Sequence, residues 1–201
     1  MKLYFSPGVC SLASNIVAKE LNLPISLVKV NLADKKTSSG DDYWAINKKG
    51  YVPALELDDG SILTEGVAIL QYLADQKPEA GLAPANGTIE RYRLQEWLTF
   101  INSEIHKSYS PLFDKSTPEQ TLKTFHEKLE KRHTFIAEHL DTREFLLGNK
   151  FTVADAYLFT TMTWAGAFNI DFSKWPSLKA YQERIAALPS VQAARAAEKA
   201  S

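Results

Sequence analysis

The chain has 201 residues, 45% hydrophobic and 23% charged, the make-up of a folded globule long enough for one large domain or two modest ones. Its 23 Lys and Arg against 24 Asp and Glu leave a net charge of -1, which gives no electrostatic case for nucleic acid or an anionic membrane as partner. No run nears the roughly 18 apolar residues of a membrane span, the start reads as a strand rather than a signal peptide, and the single cysteine excludes an internal disulfide or cysteine-based metal cluster. The expectation is a cytoplasmic protein without a metal.

Lys2 to Phe5 reads as a strand, stopped by Ser6-Pro7-Gly8. Leu12, Ala13, Ile16 and Val17 then mark a helix beginning near Cys10-Ser11. A thiol at a helix start is exposed to unpaired N–H groups that favour the thiolate, although a lone cysteine also serves as a small packing residue. Ile25 to Val30, rich in β-branched residues, is a second strand returning through that helix. Asp34 to Asp42 is polar, with Lys35 read as solvated, and a short helix is expected near Tyr43 to Ile46.

Tyr51 to Leu70 has two apolar runs around Asp58-Asp59-Gly60, and the second passes through Thr64-Glu65-Gly66 into a helix carrying Val67, Leu70 and Ala74. Pro53 lacks an N–H for a sheet ladder and belongs at the strand's start, so Val52 can offer its backbone to a peptide-like ligand or simply mark the strand boundary. Gly66 opens the helix with bare amides suited to a carboxylate, and Glu65 beside it is an anionic acceptor or a helix-start charge. These elements form an α/β domain over residues 1–77.

Pro78 to Gly87 is dense in breakers and reads as a linker, residues 78–87. Residues 88–201 read as all-helical. Leu94, Trp97, Leu98, Ile101 and Ile105 form one apolar stripe and Leu122, Phe125, Leu129, Ile136 and Leu140 another, as in two long antiparallel helices connected across Pro111 and Pro118. His126 and His133, lacking ligand partners at suitable spacing, are read as surface residues. Thr152 with Asp155 three positions on is a capping signal for a helix too apolar to be exposed, and Pro176 and Pro189 start the last two helices.

Ser6-Pro7-Gly8-Val9-Cys10-Ser11-Leu12-Ala13, Val52-Pro53-Ala54-Leu55, Leu63 to Leu73 with Thr64-Glu65-Gly66, and Phe151-Thr152-Val153-Ala154-Asp155-Ala156-Tyr157-Leu158 together resemble the bacterial beta-class glutathione S-transferases over essentially the whole chain. The resemblance implies a four-stranded thioredoxin-like N-terminal domain joined to an all-α C-terminal domain, a homodimer, and reduced glutathione as cosubstrate. It makes Pro53 a cis proline, pairs Val52 with the cysteinyl part of glutathione, and gives the γ-glutamyl end to Glu65 and Gly66. Lys35 would reach the glycyl carboxylate. Cys10 would form a mixed disulfide with glutathione, with Ser11 close by, and His106 would approach the sulfur region, with Lys107 near the glutathione. Phe113 and Trp164 would meet a small hydrophobic electrophile in a cleft between the domains. Thr99 stands where the family often has an asparagine reaching the neighbouring subunit's glutathione, so that contact is weakened or lost.

The activity so implied is conjugation of a glutathione thiolate, stabilised by helix-start amides and a donor from Cys10, Ser11 or His106, to a hydrophobic electrophile. Thiol-disulfide exchange through Cys10 is a related activity. The alternative is a non-enzymatic module, like the transferase-related bacterial regulators that bind RNA polymerase.

Overall fold

The computed structural model describes residues 1–200. The chain divides into two compact units, residues 1–83 with the segment from Ala186 onward, and residues 84–185.

The first unit is built on a sheet of β1 (Lys2–Phe5), β2 (Ser26–Asn31), β3 (Lys36–Thr37), β4 (Ala54–Glu56) and β5 (Ile62–Thr64), in the order β3-β2-β1-β4-β5. β1 and β2 run parallel, which demands a crossover; α1 (Ser11–Glu20) supplies it. β4 and β5 are antiparallel and are joined through the turn where Gly60 takes φ 82°, a conformation that a side chain would resist. Leu3, Tyr4 and Phe5 are all buried, as a central strand covered on both faces requires. Tyr4 packs on one face with Val30, Tyr43, Val52 and Ala54, beside α2 (Tyr43–Ile46). By alternation Leu3 and Phe5 turn to the opposite face, where α1 packs against β1 and α3 (Gly66–Asp75) against β4.

Two features of this unit's elements differ from the sequence reading. The sheet has a fifth strand, since Lys36 and Thr37 pair with Asn31 and Val30 in a stretch expected to be merely polar and exposed. The last helix, α9 (Pro189–Ala200), was expected in a helical domain of residues 88–201 but packs on α1 within the first unit. Its small apolar stripe, Val191 and Ala194, is fully buried, and Asn15 Nδ2 donates to the Ala194 carbonyl at 3.2 Å. Glu198, 4% exposed, accepts the Gly8 N–H at 3.0 Å and so fastens the loop that leads to Cys10.

The second unit contains α4 (Ile89–Phe100), a π-helical turn (Ile101–His106), α5 (Lys107–Phe113), α6 (Glu119–Leu140), α7 (Val153–Met162) and α8 (Pro176–Ala186). The first apolar stripe therefore runs along a helix that widens before His106 rather than one regular α-helix. Pro111 lies inside α5 instead of between helices, whereas Pro118 does precede α6. Glu104 Oε2 takes both Nε and Nη2 of Arg132, at 2.9 and 2.7 Å, pinning the π turn to α6. All ten residues of α7 are buried, as its apolar composition requires.

At the start of α7, Asp155 Oδ2 accepts from the Thr152 N–H (2.8 Å) and hydroxyl (2.7 Å), as the capping signal predicted. Its Oδ1 also accepts the Leu146 N–H and the Tyr181 hydroxyl, both at 2.9 Å, so this fully buried carboxylate ties three segments together. Burial pushes its pKa up, opposed by these hydrogen bonds.

His133 corrects the surface assignment. It is fully buried among Tyr109, Phe172 and Trp175, with ring centroids 5.2 to 6.5 Å away. Its place in the series Leu129, His133, Ile136, Leu140 follows the buried face of α6.

Candidate active site

In the first unit, Cys10 immediately precedes α1, and its Sγ donates to the Val52 carbonyl at 3.1 Å. The Val52–Pro53 peptide is cis, as the resemblance implied. Tyr43 Oη and Asn47 Nδ2 both donate to the neighbouring Tyr51 carbonyl at 2.8 Å, fixing the segment before the proline. The Val52 carbonyl is thus engaged by the thiol, while the Val52 N–H makes no hydrogen bond among the described residues.

Glu65 begins α3 at φ 70°, rare for a residue with a side chain and often tied to function. Its side chain makes no capping bond and reaches outward, where Lys49 Nζ donates to Oε1 at 2.6 Å and to Thr64 Oγ1 at 3.0 Å. The first amides of α3 have no acceptor within the helix, an arrangement that can take an anionic group. A Cβ on Gly66 would meet only the Pro53 ring, at 3.7 Å, an ordinary van der Waals distance, so the start of α3 lies beside the proline.

Two predicted contacts are arranged differently. The Ser11 hydroxyl is buried and folded back, donating to the Ser6 carbonyl (3.2 Å) and accepting the Ser6 N–H (3.3 Å), so it organises the Cys10 loop. Lys35 is not a solvated lysine. Its Nζ donates to the Gly50 carbonyl at 2.9 Å and stands over the rings of Trp44 and Tyr51, at 5.7 and 6.0 Å.

In the second unit, His106 ends the π turn with Nδ1 2.6 Å from the Tyr157 hydroxyl, which donates to Asn102 Oδ1 at 2.9 Å. Burial, with Lys107 adjacent, pushes the imidazole down to about 4, so the ring is neutral at pH 7. Trp164 packs edge-on against His106 at 5.0 Å and against Phe113 at 5.7 Å, and Phe168 lies 4.8 Å from Phe113. Phe113 is 56% exposed and Trp164 8%, an aromatic surface with one open side. Lys107 and Thr99 are exposed. Sequence reasoning missed Lys49, Tyr157 and Asn102. Asn102 and His106, four apart on one helix face, were the available signal for the last pair.

Residues 12–81 match the family model for the glutathione S-transferase N-terminal domain and residues 97–189 that for the C-terminal domain. The chain is 46% identical over 198 residues to glutathione S-transferase GstA of Escherichia coli O157:H7, covering 98% of each. The chain belongs to the glutathione S-transferase family. Among solved structures the transferase is similar to a sphingomonad enzyme complexed with glutathione, at 43% identity and TM-score 0.97 over 100% of both chains. It is equally close to the beta-class enzyme of Sphingomonas chungbukensis, at 45% identity and TM-score 0.95 over 98% of both. This places the transferase with the bacterial beta class, and likeness to enzymes over its full length speaks against the non-enzymatic alternative.

Proposed function

We propose that the transferase binds reduced glutathione on its first unit and conjugates the sulfur to small hydrophobic electrophiles, with Cys10 also able to carry a glutathione mixed disulfide. The observation that carries this reading is the grouping of Cys10, the cis Val52–Pro53 peptide and the Glu65–Gly66 helix start on one thioredoxin-like unit. Val52 N–H supplies a peptide donor, the α3 amides and Glu65 supply a site for the γ-glutamyl carboxylate and ammonium, and Lys35 supplies a cation for the glycyl end. Ser11 acts by holding the loop. His106 is assigned to the sulfur and Lys107 to glutathione binding, and Phe113 and Trp164 offer apolar surface that selects hydrophobicity more than a particular functional group.

Disposal of toxic electrophiles in the cytoplasm fits this chemistry, as does a homodimer in which Thr99, exposed on α4 and without an amide, adds little across the interface. The deciding experiment combines retention on immobilised glutathione with turnover of a chlorodinitrobenzene-type substrate. Binding with turnover is expected; absence of both from the folded protein would defeat the reading.

A further inference from the structure

We propose that Tyr157, backed by Asn102, is a positioning residue that fixes one proton of the His106 ring on Nδ1 and leaves Nε2 as the nitrogen at which the ring exchanges protons. All three residues belong to the second unit, Asn102 and His106 on the π turn and Tyr157 on α7. Tyr157 has a single hydroxyl proton, and it is donated to Asn102 Oδ1. The 2.6 Å contact between the same oxygen and His106 Nδ1 therefore requires the ring N–H as donor. A π turn, which recurs at functional sites, brings the two end members of this chain onto one face. Trp164, edge-on at 5.0 Å, holds the ring from the side.

The consequence is chemical. Nδ1–H donates to Tyr157 in both the neutral and the charged ring, so a proton can arrive at Nε2 and leave it without disturbing Tyr157 or Asn102. Neutral His106 is then an acceptor at Nε2 and not a donor to a thiolate. This deepens the functional reading above and rests on its assignment of His106 to the glutathione sulfur. Where a thiol meets the ring, its S–H bond breaks, the electron pair stays on sulfur, and the proton passes to Nε2 and on to water.

The test is the ring's 15N NMR signature in the full-length protein, together with steady-state kinetics. In the wild type at neutral pH, Nδ1 should carry the proton and Nε2 the lone pair. Tyr157→Phe should move proton population to Nε2 and lower kcat about tenfold or more, the scale on which proton-transfer groups act, with the KM for glutathione little changed. Asn102→Asp, whose ionised side chain only accepts, should keep the proton on Nδ1; should Tyr157→Phe not fold, this variant and the wild type decide. A wild-type proton on Nε2, its migration there in Asn102→Asp, or a Tyr157→Phe protein with unchanged tautomer and kcat would each overturn the proposal. Because the tautomer is read without turnover, an inactive wild type protonated on Nδ1 defeats only the functional reading, and an active one protonated on Nε2 only the proposal.

Discussion

The Glu65 carboxylate is exposed and makes no bond within α3, so removing it should leave the fold intact while taking a charge-assisted contact from glutathione. Such contacts contribute about 1.5–3 kcal/mol, and Glu65→Ala should raise the glutathione Kd at least about tenfold by calorimetric titration. The Lys49 pair, more than half exposed on both sides, adds little stability of its own, and the melting temperature should hardly move. A Kd that stays put would refute the role given to Glu65. Cys10 poses a different question, because serine can keep a hydrogen bond to the Val52 carbonyl but cannot form a sulfur–sulfur link. Cys10→Ser should lose the glutathionyl adduct in intact-mass spectrometry and most thioltransferase turnover, yet keep part of its conjugating activity. Equal loss of both in a folded, glutathione-binding variant would show that the two activities share the thiol. Glu65 and Cys10 were both legible as candidates, since a bare helix start is written in local sequence. Lys49, whose pairing with Glu65 spans 16 positions, was not.

At the scale of elements, stability is concentrated where a helix end meets distant chain. Asp155→Ala strands four donors, two of them brought from Leu146 and Tyr181, and should destabilise by about 3 kcal/mol or more in denaturant melts. Activity below the transition should change far less than the midpoint. Thr152→Ala removes the hydroxyl's share only, about 1 kcal/mol. Glu198 offers a parallel case in the first unit, where burial raises the carboxyl's pKa while the Gly8 N–H holds it. Glu198→Gln keeps an oxygen for that N–H and should be tolerated, whereas Glu198→Ala removes this acceptor and should loosen the Cys10 loop. Faster amide hydrogen exchange from Gly8 to Cys10 in the alanine variant alone is the expected result, and identical exchange in both would reject the tether.

For the molecule as a whole, acid stability follows from its buried histidine. His133 is buried and pushed down to about 4, against about 6.5 in the unfolded chain. Between those values the unfolded state binds the extra proton, so stability rises with pH from about 4 to 6.5 and is level above. At full extent this is on the order of 3 kcal/mol. His106 contributes with the same sign, and Glu104, held below its usual range by Arg132 and Lys128, adds an acid loss of its own. His133→Phe should therefore flatten part of the dependence of the denaturation midpoint on pH from 4.5 to 7. It also removes two ring nitrogens that have no hydrogen-bond partner among the described residues, so it should not destabilise at pH 7. An unchanged pH slope would mean that His133 binds its proton as readily in the folded as in the unfolded chain.

Signals spanning a few residues were readable directly: the apolar run of β1 ended by Ser6-Pro7-Gly8, the turn at Gly60, the helix start at Gly66, the Thr152–Asp155 cap and the prolines opening α8 and α9. Each depends on backbone sterics or on groups within about one turn, which the local sequence determines by itself. The division of labour among polar groups was settled only by the tertiary structure. Ser11 turned back to Ser6, Lys35 settled on Gly50, His133 sank into the face of α6, and α9 joined the first unit through Asn15 and Gly8. A buried hydrogen bond is decided by which partner lies nearest once apolar surfaces have packed. Asn15 and Ala194 are 179 positions apart, and no local pattern carries that distance.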